Sequence, residues 1–260
     1  MSLFSVRKMF TGKAARKVTV HAPRIYTVML TYKGSATTQL KFNMEICRMT
    51  VDDDRNHYFQ ISRSAVRVND EETADYIAAD LAAQCGNVLY PLQVQIGQDG
   101  NMTGILNHAT ILQRWQDKKE RLKQYFTGPD AHSYIDATSD TLAEEGNLIS
   151  AIRHDLFLAA FFHVQFAGNR TGFRVPYHLF PFEIPVMYEA TQTGNRMTNN
   201  LRQSGRQENG RGTMDIQYAF HRIHGPVQSL QAQWDADRQE KYLQISLTAN
   251  CVNSDDHSIN

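Results

Sequence analysis

Ten histidines are the first residues in this 260-residue chain with the chemistry for proton transfer or metal binding. His221 and His224 form the closest pair. On a strand continuing from Met214, residues three apart point to opposite faces, which is wrong for holding one metal ion. Gly225-Pro226 and the flanking alternation oppose a helix, so the pair reads as polar residues at a sheet end. His154-Asp155 and His163 are the second group. A histidine beside a carboxylate is half of a catalytic relay, and a hydrolase-like enzyme would be centred on these three residues. No serine or cysteine stands in a GxSxG elbow, which favours a hydrogen-bonded histidine at the edge of the core.

The remaining motifs supply no cofactor or metal set. Asp52-Asp53-Asp54 lacks the alternating acids, the glycine and the closing glutamate of a calcium loop, and reads as a solvated turn. Glu71, Glu72 and Asp75 read as first-turn acids of a helix. Gly12-Lys13 lacks the upstream glycine of a phosphate-binding loop, and there is no GxGxxG. Cys47, Cys85 and Cys251 are odd in number and include no CxxC pair. They read as small apolar residues in a reducing compartment, although strand pairing is able to bring Cys47 and Cys251 together.

Contact surfaces are better represented. Residues 191–213 hold Arg196, Arg202, Arg206 and Arg211 against one acid, Glu208, and have no aromatic residue. Without rings for base stacking, these arginines read first as solvated charge, and an acidic protein surface fits them better than nucleic acid. Upstream lie nine rings: Phe157, Phe161, Phe162, Phe166, Phe173, Tyr177, Phe180, Phe182 and Tyr188. They read either as core or as an exposed patch. Pro176, Pro181 and Pro185 give no N–H to a ladder, so their strand belongs at a sheet edge. The candidate interaction surface is therefore Phe173, Tyr177, Phe180, Phe182 and Tyr188 with the four arginines.

Composition bounds the class. Hydrophobic residues at 42% and charged residues at 21% exclude a disordered chain, and 27 basic against 27 acidic residues exclude a chain-wide basic field. The longest apolar run, 156–162, is far short of the roughly 18 residues that suggest a membrane span. Residues 1–24 carry Arg7, Lys8, Lys13, Arg16, Lys17 and Arg24 with no acid, as a basic arm or first edge strand does. No apolar core of a secretory leader follows Arg7 and Lys8, so a cytoplasmic location is expected.

The elements that must position these residues follow from periodicity. Tyr26, Val28, Leu30 and Tyr32 share one strand face, and Leu40, Phe42, Met44 and Ile46 share another. A third strand spans 57–68. Asn69 and Glu72 read as a capping box opening a helix through Cys85. Asp99-Gly100 between apolar stretches predicts a hairpin. A helix begins at Asn107 and stops at Gly128-Pro129, and a second helical region lies within 139–162, most buried from Leu156 onward. Residues 191–213 read as a mobile loop or hairpin tip, and alternation returns over 214–220, 230–234 and 243–249.

The expected fold is α+β: antiparallel curved sheets from N- and C-terminal meanders, packed on two to three central helices in one domain over 25–253, with a polar tail at 254–260. The expected function is a non-enzymatic interaction or assembly component that binds a protein partner or itself. The alternative is a carrier of a small apolar ligand in a cavity between sheet and helices.

Overall fold

The structure is a computed structural model and describes residues 18–51, 56–166, 172–179, 184–195, 198–208, 210–221, 225–236 and 239–250. Most of the basic arm, the Asp52–Asp54 turn, His224, Cys251 and the polar tail lie outside them.

The N-terminal meander forms as the alternation predicts: β2 (Arg24–Lys33), β3 (Thr37–Val51) and β4 (His57–Val68), with β1 (Val18–Val20) laid against the end of β3. The helix expected at Asn69 begins later. Asn69 and Asp70 both take positive φ, 52° and 66°, and form a two-residue hairpin turn that folds β5 (Glu71–Glu72) onto β4. The Asn69 carboxamide oxygen accepts the N–H of Gln39 instead of capping a helix, and α1 runs from Ile77 to Gly86. The Asp-Gly hairpin is present as β6 (Leu92–Ile96) and β7 (Met102–Ile105). The helix α2 (His108–Tyr125) follows.

Gly128-Pro129 ends one helix and also begins another. Pro129 occupies the first turn of α3 (Pro129–Ala143), where its missing N–H costs nothing. The helical region expected within 139–162 is divided by backbone breaks. Glu144 is extended and separates α3 from α4 (Glu145–Ile152). The Asp155 carboxylate then accepts the Leu158 N–H at 3.0 Å and starts α5 (Leu156–Phe166).

The C-terminal half adds β8 (Phe173–Tyr177), β9 (Val186–Asn195), β10 (Asn200–Gln207), β11 (Thr213–Phe220), β12 (Val227–Ala236) and β13 (Gln239–Asn250). Of the two readings of 191–213, the mobile loop is corrected and a hairpin is found: β9 and β10 pair residue by residue from Tyr188–Gln207 to Asn195–Asn200. Its inward positions include Gln203, which is fully buried and donates to Gln192 at 3.1 Å. An amide at a buried position breaks the hydrophobic period of the strand, and the Gln203 carboxamide oxygen is buried without a partner.

Both meanders join one antiparallel sheet of 13 strands, in the order β7-β6-β4-β3-β2-β13-β12-β11-β10-β9-β8. The seam between them is β2 on β13, where the Thr27 and Thr248 hydroxyls, 221 residues apart in the chain, lie 2.8 Å from each other. The class is α+β, with one sheet and five α-helices among the described residues in place of the two to three helices expected.

The helix α5 explains how the sheet is folded. It is apolar all round, and Phe157, Leu158, Ala160, Phe161, Phe162 and Val164 are buried. Phe162 packs on Phe59 of β4 at 4.8 Å between ring centroids, and its neighbour His163 lies 5.6 Å from Phe173 of β8. Eight inter-strand steps separate β4 from β8, about 38 Å in a flat sheet at ~4.8 Å per step. Adjacent residues of one helix reach both strands only if the sheet wraps around it. Tyr26 of β2 (5.1 Å from Phe161) and Tyr218 of β11, whose hydroxyl donates to the Ala160 carbonyl at 3.2 Å, hold the intervening strands. The wrap does not close, because β7 and β8 end the sheet unpaired to each other.

Candidate ligand-binding cleft

The open seam between β7 and β8 holds a cavity of about 270 Å³. One wall is the β6–β7 turn with Met102, and the other is β8 with His178 just beyond it. Leu158, Ala159, Phe162 and His163 of α5 make the floor. Ile152 and Arg153, at the end of α4, close the back.

The turn is held close to the floor by Gly100. Its φ is 83°, and a Cβ there would stand 2.8 Å from the Phe162 carbonyl oxygen and 2.9 Å from the His163 Cα. Only glycine satisfies both the backbone conformation and the approach. Asp99 braces the same turn by accepting the Asn101 backbone N–H at 3.0 Å and its side-chain amide at 2.7 Å.

The opposite wall alternates, as an edge strand over a core must. Val175 and Tyr177 point inward, whereas Arg174 and Pro176 are exposed. The Tyr177 ring packs on Trp234 at 5.0 Å and on Tyr188 at 6.4 Å. Its hydroxyl is buried without a hydrogen bond, and burial pushes its pKa well above the ordinary tyrosine range. Pro176 removes an N–H from the middle of the edge, which protects it against strand addition.

The polar groups of the cleft are mostly cationic or imidazole. Arg153 donates to the Met102 carbonyl at 3.2 Å, and Arg174 pairs with Glu208. His178 stacks on His154, with ring centroids 3.8 Å apart and planes 16° from parallel, and its Nδ1 is buried without a hydrogen bond. Burial first, then the neighbouring His154 and Arg153, hold the His178 pKa below its ordinary value. Parallel imidazoles at this spacing cannot both direct a nitrogen at one metal ion. No group of three or more metal-ligating side chains occurs among the described residues.

The three residues of the enzyme reading are placed apart in role. Asp155 is half-buried and gives its carboxylate to the N–H groups that open α5, and burial raises its pKa. His154 stacks on His178, and His163 lies on the cleft floor.

The candidate interaction surface divides. Tyr177 and Tyr188 are 1% and 0% exposed, so as surface residues they are corrected: the period of two turns both toward the core. Phe180, Phe182 and Arg196 lie outside the described residues. Phe173, Arg202 and Arg206 come together with Arg174 along an open outer groove of about 800 Å³ across β8, β9, β10 and β11. Arg202 is paired there with Asp215 at 2.6 Å. Arg211 is exposed beyond the groove. Sequence reasoning missed Arg153, Arg174, His178 and Gly100 as site residues, because none of them belongs to a spaced motif. The Asp-Gly turn signal had located Gly100 only as a hairpin residue.

No protein-family model matches the chain, and no curated protein matches it in sequence. No helix among the described residues is long and apolar enough to cross a membrane. Function is therefore argued from the cleft itself.

Proposed function

We propose that this chain is a binding protein whose seam cleft takes up one small, largely apolar ligand without transforming it. The observation that carries this reading is the incomplete closure of the sheet. A cavity of about 270 Å³ lies where β7 and β8 fail to meet, floored by the most apolar helix of the molecule. Concave, mainly apolar sites with a few convergent polar groups are the usual form of small-ligand pockets, and a cavity this size suits a ligand of about ten non-hydrogen atoms. The nearby titratable groups are committed to structure, Asp155 to the start of α5 and His154 to its stack on His178.

Isothermal titration calorimetry with 1-octanol tests the reading. The expected result is saturable binding at one site with a negative heat-capacity change, the mark of apolar burial. Absence of saturable heat up to the solubility limit overturns it.

A second reading, an interaction component, is favoured by the outer groove that gathers Phe173, Arg174, Arg202 and Arg206. Its arginines face Glu189 and Asp215 in the same groove, which lowers the net charge offered to an acidic partner. Under this reading light scattering after size exclusion detects self-association that Arg206→Glu abolishes. A monomer at every concentration that also recovers no partner in a pulldown counts against it.

A further inference from the structure

We infer that the ligand of the seam cleft is an amphipathic anion, with its head against Arg153, Arg174, His163 and His178 and its tail over Leu158 and Phe162. The assignment rests on the reading of the cleft as a binding site and names the chemistry it selects.

Three observations support it. First, the charges are one-sided: Arg174 is paired with Glu208, and the Arg153 guanidinium with two imidazoles then stands against one carboxylate, Asp99. That carboxylate already accepts two hydrogen bonds from Asn101 within its own turn. Second, Arg153 has no carboxylate partner among the described residues, and its one hydrogen bond to protein goes to the neutral Met102 carbonyl. A guanidinium with five N–H donors retains capacity for a carboxylate or similar head. Third, the buried Nδ1 of His178 has no hydrogen bond, although polar atoms so placed normally have one. An anionic head supplies the acceptor for a protonated Nδ1. It also favours the charged imidazole that burial, His154 and Arg153 disfavour in the empty protein.

The polar and apolar parts are separated as the ligand requires. The cationic groups sit near the ends of α4 and α5 and along β8, and Ile96, Met102, Leu158 and Phe162 supply the apolar part of the lining. A neutral apolar ligand leaves the buried His178 Nδ1 without an acceptor, and a cation adds repulsion from Arg153 to that cost.

Calorimetry at pH 7 with three probes sharing one tail separates the possibilities: octanoate, 1-octanol and octylammonium. Octanoate is expected to bind at least about tenfold tighter than octanol, the usual yield of one charge-assisted hydrogen bond, and octylammonium more weakly than octanol. Arg153→Gln is expected to remove the octanoate advantage, read as the ratio of octanoate to octanol affinity measured in the same variant. Arg174→Gln, on an exposed side chain, gives a second comparison if Arg153→Gln does not fold by circular dichroism. Octanol and octanoate binding alike, or octylammonium binding tightest, overturns the anion assignment while the cleft stands as an apolar site. If none of the three binds, the assignment and the reading of the cleft fall together.

Discussion

Filling the cleft from its floor separates a real cavity from a packing feature. Ala159 lies half-buried on α5 and lines the cavity. Ala159→Leu adds three carbons, and complete burial of each is worth ~0.8 kcal/mol, or about 2.4 kcal/mol in all. Ordering the new side chain costs about 0.5–1 kcal/mol, and the change in helix propensity is small. Net stabilisation of about 1.4–1.9 kcal/mol is expected, which raises the melting temperature by roughly 3–7 °C for a chain of this size. Octanol binding should be lost in the same variant, because the leucine occupies the space the tail requires. Thermal unfolding followed by circular dichroism, paired with calorimetry, reads both effects. Destabilisation by about 1–3 kcal/mol, the usual result of overpacking, refutes the open cavity. Unchanged octanol affinity in a stabilised variant places the ligand elsewhere.

Two tyrosines of the same core should respond in opposite directions. Tyr177→Phe removes a buried hydroxyl without a hydrogen bond and should raise stability in urea by about 1 kcal/mol, while Tyr218→Phe removes the bond to Ala160 and should lower it by about 1 kcal/mol. Equal effects would contradict the assigned environments. Gly100→Ala forces an unfavourable φ and pushes the turn from α5, so a loss of about 1–3 kcal/mol is expected with weaker octanol binding. A neutral result in both assays places the turn away from the helix. His178 takes up its proton less readily in the folded than in the unfolded chain, so its contribution to stability is present above about pH 6.5 and is lost as the pH falls through that value. His178→Gln should flatten the decline in urea midpoint between pH 7 and pH 5. Asp155, whose raised pKa acts in the opposite direction, is common to both proteins and cancels in the comparison. Parallel pH profiles would remove His178 from this account.

The strands were legible wherever one face of the sheet is apolar. Tyr26, Val28 and Leu30, or Leu243 and Ile245, show alternation because each inward position carries a hydrophobic side chain. β10 escaped because the buried position Gln203, bonded to Gln192, is polar, so the pattern of two is not carried by hydrophobic residues alone. Arg202 and Arg206 nevertheless share one face of that strand, and their even spacing was the available signal. The divisions between α3, α4 and α5 were hidden for a related reason: their apolar residues continue in helical register across Glu144 and Asp155, and local backbone conformation alone interrupts the chain. The cleft was the least legible feature. Its residues lie on the β6–β7 turn, α4, α5 and β8, and only the wrapping of the sheet brings the two ends together.

The pairing of β2 with β13 bears on how the protein is made. β2 sits mid-sheet, yet its second neighbour is synthesised some 200 residues later, with Thr27 and Thr248 separated by 221 positions. At ordinary elongation rates the nascent N-terminal ribbon spends about ten to forty seconds with that edge open. During this interval the backbone groups along one edge of β2 lack their β13 partners, and chaperone capture or misassociation has its opportunity. The same adjacency sets Arg24 opposite Asn250, so a permuted gene joining these positions and opening between β4 and α1 would deliver the two central strands in succession. Such a protein should fold faster than the natural order of its own strands allows.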